Sequence, residues 1–383
     1  MELEKKIFKI MEHISAGLLV IRDNKILLVQ QKNDHDKLHL SIPKGLIEKD
    51  EDPLDAAIRE TYEETGLKVY RRNIIKTPYL MNIDSSYIKR RIIYYVAHIH
   101  SNVDVSPIDK AEIEWAGFVS YGYAEKHLQP TQLSILILLN PLKLSKRAMN
   151  WLCNCGYIEC DWHPERRIKI FNYTKKCKTE QYWDEITLWS RGLIADDRNN
   201  ILYRPLKKFF ELDQLYQFFT PHEDNGFKLF EKKDGALGIM YWIEDQPYIA
   251  TRGSFSTSQA IIGTRLLYTK HYEDFCHFNR NYTYLFEIIS PKDKHIIDYG
   301  DIEELYLIGA YDNKRMRDIS SDEIHNLETF KKVEYYSEHG TIEALSSEDQ
   351  PNREGYVALF PDGNRLKIKF KTYKENYVLH YKK

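Results

Sequence analysis

Three glutamates constrain what this chain must build first. Glu60, Glu63 and Glu64 stand at spacings of three and four residues, which put side chains on one face of an α-helix. Like charges in that arrangement repel and destabilise an isolated helix, so the segment needs a compensating charge. Its ends are written in the sequence: Pro53 suits a first helical turn, Leu54 to Thr65 are good helix formers, and Gly66 stops them. Arg59 offsets part of the charge. A hard divalent cation with oxygen ligands would remove the rest of the repulsion and bind a diphosphate at the same time. An ordinary solvated acidic helix is the plain alternative. It does not account for Gly45 ahead of the helix or for the sharp stop at Gly66.

At 383 residues the chain is long enough for two domains. It is 43% hydrophobic and 13% aromatic, with 28 tyrosines, which suits packed cores rather than disorder. A formal net charge of -2 excludes a global electrostatic pull towards nucleic acid. Local charge differs: from Asn364 to Lys383 there are seven Lys or Arg and one acidic residue. Five cysteines, an odd number in a large chain, point to a reducing, intracellular or cytoplasmic setting. Met1-Glu2-Leu3-Glu4-Lys5-Lys6 leads into no long apolar core, so no secretory signal is expected. No stretch reaches membrane-spanning length.

Turn formers Asp23-Asn24 between Gly17–Ile21 and Ile26–Val29 predict a hairpin. Ile92 to Ala97 and Ile113 to Val119 read as strands, and Gln129 to Leu139 as an apolar helix closing the first unit. Pro141 and the basic run Lys143 to Arg147 put the boundary near residue 145. Beyond it, Ala148-Leu152 reads as helix, and Ile186-Trp189, Gly238-Trp242 and Tyr284-Ile289 read as strands. Cys153, Cys155, Cys160 and His163 lack the paired knuckles of a zinc site. Their neighbours Trp151, Ile158 and Trp162 favour cysteines buried as small apolar residues.

Gly45, Glu51, Arg59-Glu60 and Glu63-Glu64-Thr65-Gly66-Leu67 have the spacing of the Nudix box, and the first unit resembles the Nudix hydrolases. Thr61 departs from the pattern, where the family often has an aliphatic residue. The resemblance implies an α/β/α sandwich. It also implies Mg²⁺ or Mn²⁺ held by Glu60, Glu63 and Glu64, with the Gly45 carbonyl and Glu51 in support. The box identifies neither a general base nor a substrate. Ser41-Ile42-Pro43-Lys44-Gly45 is similar to the Pro-Lys-Gly approach of dinucleoside-polyphosphate and diphosphoinositol-polyphosphate hydrolases.

In the second unit, Lys232-Lys233-Asp234-Gly235 carries a lysine that becomes a nucleophile once burial or neighbouring positive charge lowers its pKa. Attack on an α-phosphate would give a phosphoramidate and release pyrophosphate. Arg252-Gly253-Ser254-Phe255, Phe286-Glu287-Ile288, Glu354-Gly355 and Lys367-Ile368-Lys369 follow in order and supply cations for phosphates and carboxylates for a metal. The ordered set resembles the covalent nucleotidyltransferases, specifically ATP-dependent RNA ligases of the phage T4 RNA ligase 1 type. Arg191-Gly192, Arg204-Pro205 and Lys207-Lys208-Phe209-Phe210 match upstream elements of that group, as do Tyr157-Ile158, His163-Pro164 and Asn172-Tyr173-Thr174. Leu237 stands where capping enzymes and many DNA ligases carry arginine. With the sequence ending soon after Lys369, the OB domain usual in cellular DNA ligases is not expected.

The resemblance implies Lys232 as the adenylylated lysine, with Asp234 and Gly235 in its motif. Lys367 and Lys369 would hold the nucleotide phosphates, and Glu287 and Glu354 would serve metal and ribose. Arg191, Arg204, Arg252, Lys207 and Lys208 are candidates for phosphate or RNA contact. The resulting expectation is a two-domain chain. An α/β Nudix unit over residues 1–145 precedes an α+β nucleotidyltransferase of the ligase and capping-enzyme type, with antiparallel sheets, over residues 146–383. Its partners would be ATP, RNA ends and a nucleoside-diphosphate-linked substrate. The hydrolase would prepare RNA ends for sealing, or act on free dinucleoside polyphosphate, NAD or ADP-ribose. A non-catalytic nucleotide- or RNA-binding second unit is the remaining alternative.

Overall fold

A hairpin founds the first unit. The strands Ile14–Arg22 and Lys25–Gln31 pair antiparallel around Asp23 and Asn24, whose φ angles of 50° and 58° are those a tight hairpin turn demands. The computed structural model describes residues 14–32, 39–85, 88–100, 103–215 and 226–381. Met1–Lys6 and the terminal Lys382 and Lys383 lie outside the described residues. By contacts the chain divides into two units, Met1–Ile158 with Tyr173–Thr187, and Glu159–Asn172 with Leu188–Lys383.

In the first unit a mixed sheet runs in the order Ile74–Ser85, Ile88–His98, Ile14–Arg22, Lys25–Gln31, Ile113–Ser120. Ile14–Arg22 pairs parallel with Ile88–His98, and the short strand Lys44–Leu46 adds to Ile14–Arg22. The helix Pro53–Thr65 forms as expected. Asp52 caps it by accepting from the amides of Leu54 and Asp55, and Gly66 ends it at φ 69° with its N–H on the Tyr62 carbonyl. Ala56 and Ala57 bury one face of this helix against Ala16, Leu18, Val20 and Leu27 of the sheet. Thr61 is fully buried, and its hydroxyl donates to the Ala57 carbonyl at 2.7 Å, so the polar atom is satisfied inside the helix.

The expected apolar helix over Gln129 to Leu139 forms at Pro130–Leu138 as 3₁₀ turns, with three-residue closures such as Gln132 N–H to the Gln129 carbonyl. One expected element differs. Glu185–Trp189 is a short helix, not a strand. The Asp184 carboxylate accepts from the Thr187 amide at 2.7 Å, and that side-chain cap outweighs the β-branched pattern. The helix Lys146–Asn154 matches its expected position.

The second unit is built on mainly antiparallel sheets, with Lys331–Lys332 parallel to Glu304–Asp312. One runs Gln246–Ala250, Ala236–Ile243, Tyr282–Ile289, Glu304–Asp312, Arg317–Ser320. Another runs Phe210–Glu211, Arg365–Lys369, Gly355–Leu359, Lys228–Lys232, Tyr335–Tyr336. Apart from its parallel edge pair, Phe210–Glu211 with Arg365–Lys369, this second sheet is antiparallel. Met240, Ile249, Leu266, Phe286 and Leu307 belong to the larger core, packed around the helix Ser258–Lys270. Lys232 ends a strand of one sheet and Ala236 begins a strand of the other. The turn between them therefore sits where the two sheets meet.

Candidate active sites

In the first unit, Arg59 organises the carboxylates. Its Nε and Nη2 fork onto Glu51 at 2.8 and 2.9 Å, while Nη1 reaches Glu60 at 2.8 Å and Glu63 at 3.1 Å. This pairing holds the Glu51 carboxyl below its ordinary range. Burial raises Glu60, against the opposing pull of Arg59. Glu64 is only 7% exposed, and burial pushes its carboxyl up to about 7, with Lys44 working the other way. The Lys44 amide donates to Glu64 Oε2 at 3.1 Å. A Cβ on Gly45 would fall 2.0 Å from the Glu60 carboxyl carbon, so any larger residue there displaces that carboxyl. Behind the same loop, fully buried Gln132 accepts from the Ile42 amide at 3.1 Å and donates to the Tyr94 hydroxyl at 2.7 Å. Tyr94 and Gln132 had no motif to announce them.

Hard carboxylate oxygens are the chemistry a divalent cation satisfies, and Glu60 and Glu64, whose carboxyls burial raises, fit Mg²⁺ or Mn²⁺ in that respect. Among the described residues no three His, Cys, Asp or Glu side chains converge to hold a metal. Arg59 Nη1 lies between Glu60 and Glu63 instead.

In the second unit the strand register assembles the site. Lys232 pairs with Gly355, and Gly355 with Lys369, across three adjacent strands. Glu354 therefore reaches both lysines: Lys232 Nζ lies 2.8 Å from its Oε2 and Lys369 Nζ 2.9 Å from its Oε1. Gly355 has φ 142°, and a Cβ there would meet the Ile368 carbonyl at 2.0 Å. The Gly235 amide donates to Glu287 Oε1 at 3.0 Å. Asp234 does not face the lysine. Its Oδ2 accepts from the Ile296 and Ile297 amides at 2.8 and 3.0 Å, and its Oδ1 accepts from the Tyr373 hydroxyl at 2.8 Å.

Charge in this site is uneven. Burial works to lower the Lys232 pKa, but Glu354 and Glu287 outweigh it and leave the ammonium favoured. Lys367 is held well below its ordinary value by burial and by Lys208, Arg191, Lys232 and Lys369. The Lys367 ammonium and the Arg191 guanidinium both lie over the Phe209 ring, at 4.9 and 5.9 Å. A concentration of cations beside a nucleophilic amine suits a polyphosphate.

Arg252 is exposed in the turn between Thr251 and Ser254, and its backbone lies near Gly192. Lys207 lies over Trp189 and Lys208 over Phe210. Arg204 shares Trp189 with Lys207 but is more deeply buried. It is 2% exposed, with its guanidinium over Trp189 and Tyr311 at 5.7 Å each. The cysteines differ from the expectation of burial: Cys153 and Cys160 are exposed and Cys155 is half-buried. The buried thiol is Cys177, which donates to the Tyr182 carbonyl, because the turn after its short helix folds over it.

The NUDIX domain family matches residues 11–136, and the RNA ligase family matches residues 189–377. The chain joins a Nudix domain to an RNA-ligase-like domain. This bifunctional Nudix and RNA-ligase-like enzyme is similar over its first part to a MutT NUDIX hydrolase from Burkholderia pseudomallei. Identity there is 22% over 33% of this chain and 95% of that one, with a TM-score of 0.27. A C. elegans Ap4A hydrolase is 21% identical over 37% of this chain and 98% of its own, with a TM-score of 0.28. A Naegleria gruberi RNA ligase variant crystallised with AMP and Mn is 20% identical over 45% of this chain and 57% of its own, with a TM-score of 0.37. Among the described residues, no helix of this Nudix–ligase chain is long and apolar enough to cross a membrane.

Proposed function

We propose that the second domain, residues 146–383, joins RNA 5′-phosphate and 3′-hydroxyl ends with ATP through a lysyl-AMP on Lys232. The first domain, residues 1–145, hydrolyses a nucleoside diphosphate linkage. The observation that supports the ligase reading is the bonded row Lys232–Glu354–Lys369, with Glu287 on the neighbouring Gly235 amide.

The neutral Lys232 amine attacks the α-phosphorus of ATP, and pyrophosphate departs as the N–P bond forms. Lys367, Lys369, Lys208 and Arg191 offset the phosphate charge that develops in line with the attack. AMP then passes to an RNA 5′-phosphate, and a 3′-hydroxyl displaces it to seal the strand. Arg252, exposed at its turn, and Lys207 would meet RNA phosphates. Glu287 and Glu354 on the ligase side, and Glu60, Glu63, Glu64, Glu51 and the Gly45 carbonyl on the Nudix side, would hold Mg²⁺ or Mn²⁺. When bound, the metal neutralises phosphate charge and, in the hydrolase, lowers the pKa of water.

For the Nudix domain we favour a free dinucleoside polyphosphate, NAD or ADP-ribose. The Pro43-Lys44-Gly45 approach supports this, with the Lys44 amide fixed on Glu64. Preparation of RNA ends is the second reading, favoured by the presence of both chemistries in one chain. The deciding experiment incubates wild type, Glu64→Gln and Lys232→Ala with ATP, a panel of free dinucleotides, and NAD-capped, dinucleoside-capped and triphosphorylated RNA. Cleavage of free dinucleotides alone, lost in Glu64→Gln, supports the first reading. Release of 5′-monophosphate RNA supports the second. Absence of a labelled lysyl-adenylate from the folded wild type would overturn the ligase assignment.

A further inference from the structure

A tyrosine outside every motif invoked so far joins two parts of the lysine site. Tyr373 lies in the first turn of the C-terminal helix Lys371–Tyr381 and is 4% exposed. Its hydroxyl donates to Asp234 Oδ1 at 2.8 Å, and the Lys369 ammonium lies 4.8 Å over its ring. Asp234 is two residues from the nucleophile. With Oδ2 on the Ile296 and Ile297 amides and its own amide donating to the Tyr299 hydroxyl at 2.9 Å, it anchors the turn Lys232–Gly235. Lys369 shares Glu354 with Lys232. One side chain thus touches both the anchor of the nucleophile's turn and the lysine that competes for the nucleophile's carboxylate.

We propose that Tyr373 is a positioning residue for lysyl-AMP formation: its hydroxyl orients Asp234 and the Lys232–Gly235 turn, and its ring seats Lys369. The inference rests on the lysyl-AMP reading above. In that step the ammonium of Lys232 first gives its proton to water. Its lone pair then forms the N–P bond, and the Pα–O bond breaks with its electrons leaving on pyrophosphate. The approach must be in line, and displacement of the amine by about 1 Å is enough to slow such a step on the order of a hundredfold. Among the described residues Lys232 Nζ has one ion-pair partner, Glu354, so the turn that carries it depends on other bonds as well. A donor on a buried carboxylate supplies one.

Tyr373→Phe removes the hydroxyl and keeps the ring under Lys369, whereas Tyr373→Leu removes both. Single-turnover transfer of labelled AMP from ATP reads the first step. Sealing of a chemically pre-adenylylated RNA end by the same preparations bypasses that step. For Tyr373→Phe we expect lysyl-AMP formation at saturating ATP to slow roughly ten- to a hundredfold, with KM for ATP within about twofold of wild type. Sealing of the pre-adenylylated end should stay within about threefold, and Tyr373→Leu should label more slowly still. Labelling of Tyr373→Phe at the wild-type rate overturns the proposal. So does an equal fall in both steps, which would mark a structural role only. A wild type that forms no lysyl-AMP would refute the ligase reading instead, and the two failures are distinct.

Discussion

Lys232 Nζ lies 2.8 Å from Glu354 Oε2, and the Glu354 side chain is only 3% exposed. Burial disfavours an ammonium, but here the carboxylate outweighs it, so Lys232 keeps its proton more firmly than a free lysine. Only the neutral amine attacks phosphorus. The rate of lysyl-AMP formation should therefore climb with pH, by up to about tenfold per unit, across roughly pH 7 to 9. Single-turnover labelling with ATP checks this. A flat profile over that range would mean that the ion pair is already broken when ATP is bound.

Removing Glu354 should separate its charge from its bonds. Glu354→Ala leaves Lys232 and Lys369 without their shared carboxylate, and loss of about 3 kcal/mol or more of stability is expected, with labelling abolished. Glu354→Gln keeps one acceptor and should lose less stability. Denaturant unfolding alongside labelling measures both. Equal stability of the two variants would mean that the charge, and not the acceptor that glutamine keeps, holds the two lysines.

Burial raises Glu64 to about 7, against 4.5 for the exposed group. Between those values the folded protein, freed of metal, binds a proton that the unfolded chain has released. Stability therefore falls as pH rises through this window and levels off above it, by on the order of 3 kcal/mol for the full shift. Glu64→Gln should flatten that slope. Thermal unfolding in chelator at several pH values provides the comparison, and parallel curves for the two proteins would contradict the expectation.

Gly45→Ala should eliminate hydrolysis, because the new methyl would overlap the Glu60 carboxyl. Lysyl-AMP labelling at Lys232 should be unaffected. Assays of both activities on one preparation decide it, and hydrolysis within about threefold of wild type would show that the loop yields at little cost.

Thr61→Val should be tolerated. Among the described residues the Thr61 hydroxyl bonds back to the Ala57 carbonyl alone, so a buried methyl of similar size should change stability by about 1 kcal/mol or less. Thermal unfolding measures it. A loss of several kcal/mol would assign the hydroxyl a role that its helix-internal bond does not suggest.

Much of this was legible where the information is local. The turn at Asp23-Asn24, the cap and stop of Pro53–Thr65, and the strands around Gly238-Trp242 and Tyr284-Ile289 follow from propensity and spacing. Where a side chain competed with pattern, reading failed: Asp184 turned Glu185–Trp189 into a helix. Burial was harder still. Arg204, a candidate for phosphate or RNA contact, is buried with its guanidinium over Trp189 and Tyr311, whereas Cys153 and Cys160 read as interior and are exposed.

By itself the sequence determined the chemistry available to this protein. Glutamates at helical spacing and a lysine two residues from Asp234 are local patterns, set by side-chain identity and by the 3.6-residue turn of a helix. Only the tertiary structure decided which groups meet. Lys232 finds Glu354 across 122 positions and Asp234 finds Tyr373 across 139, through the register of paired strands and the docking of the C-terminal helix. Such contacts depend on pairing between distant segments, which no local propensity encodes.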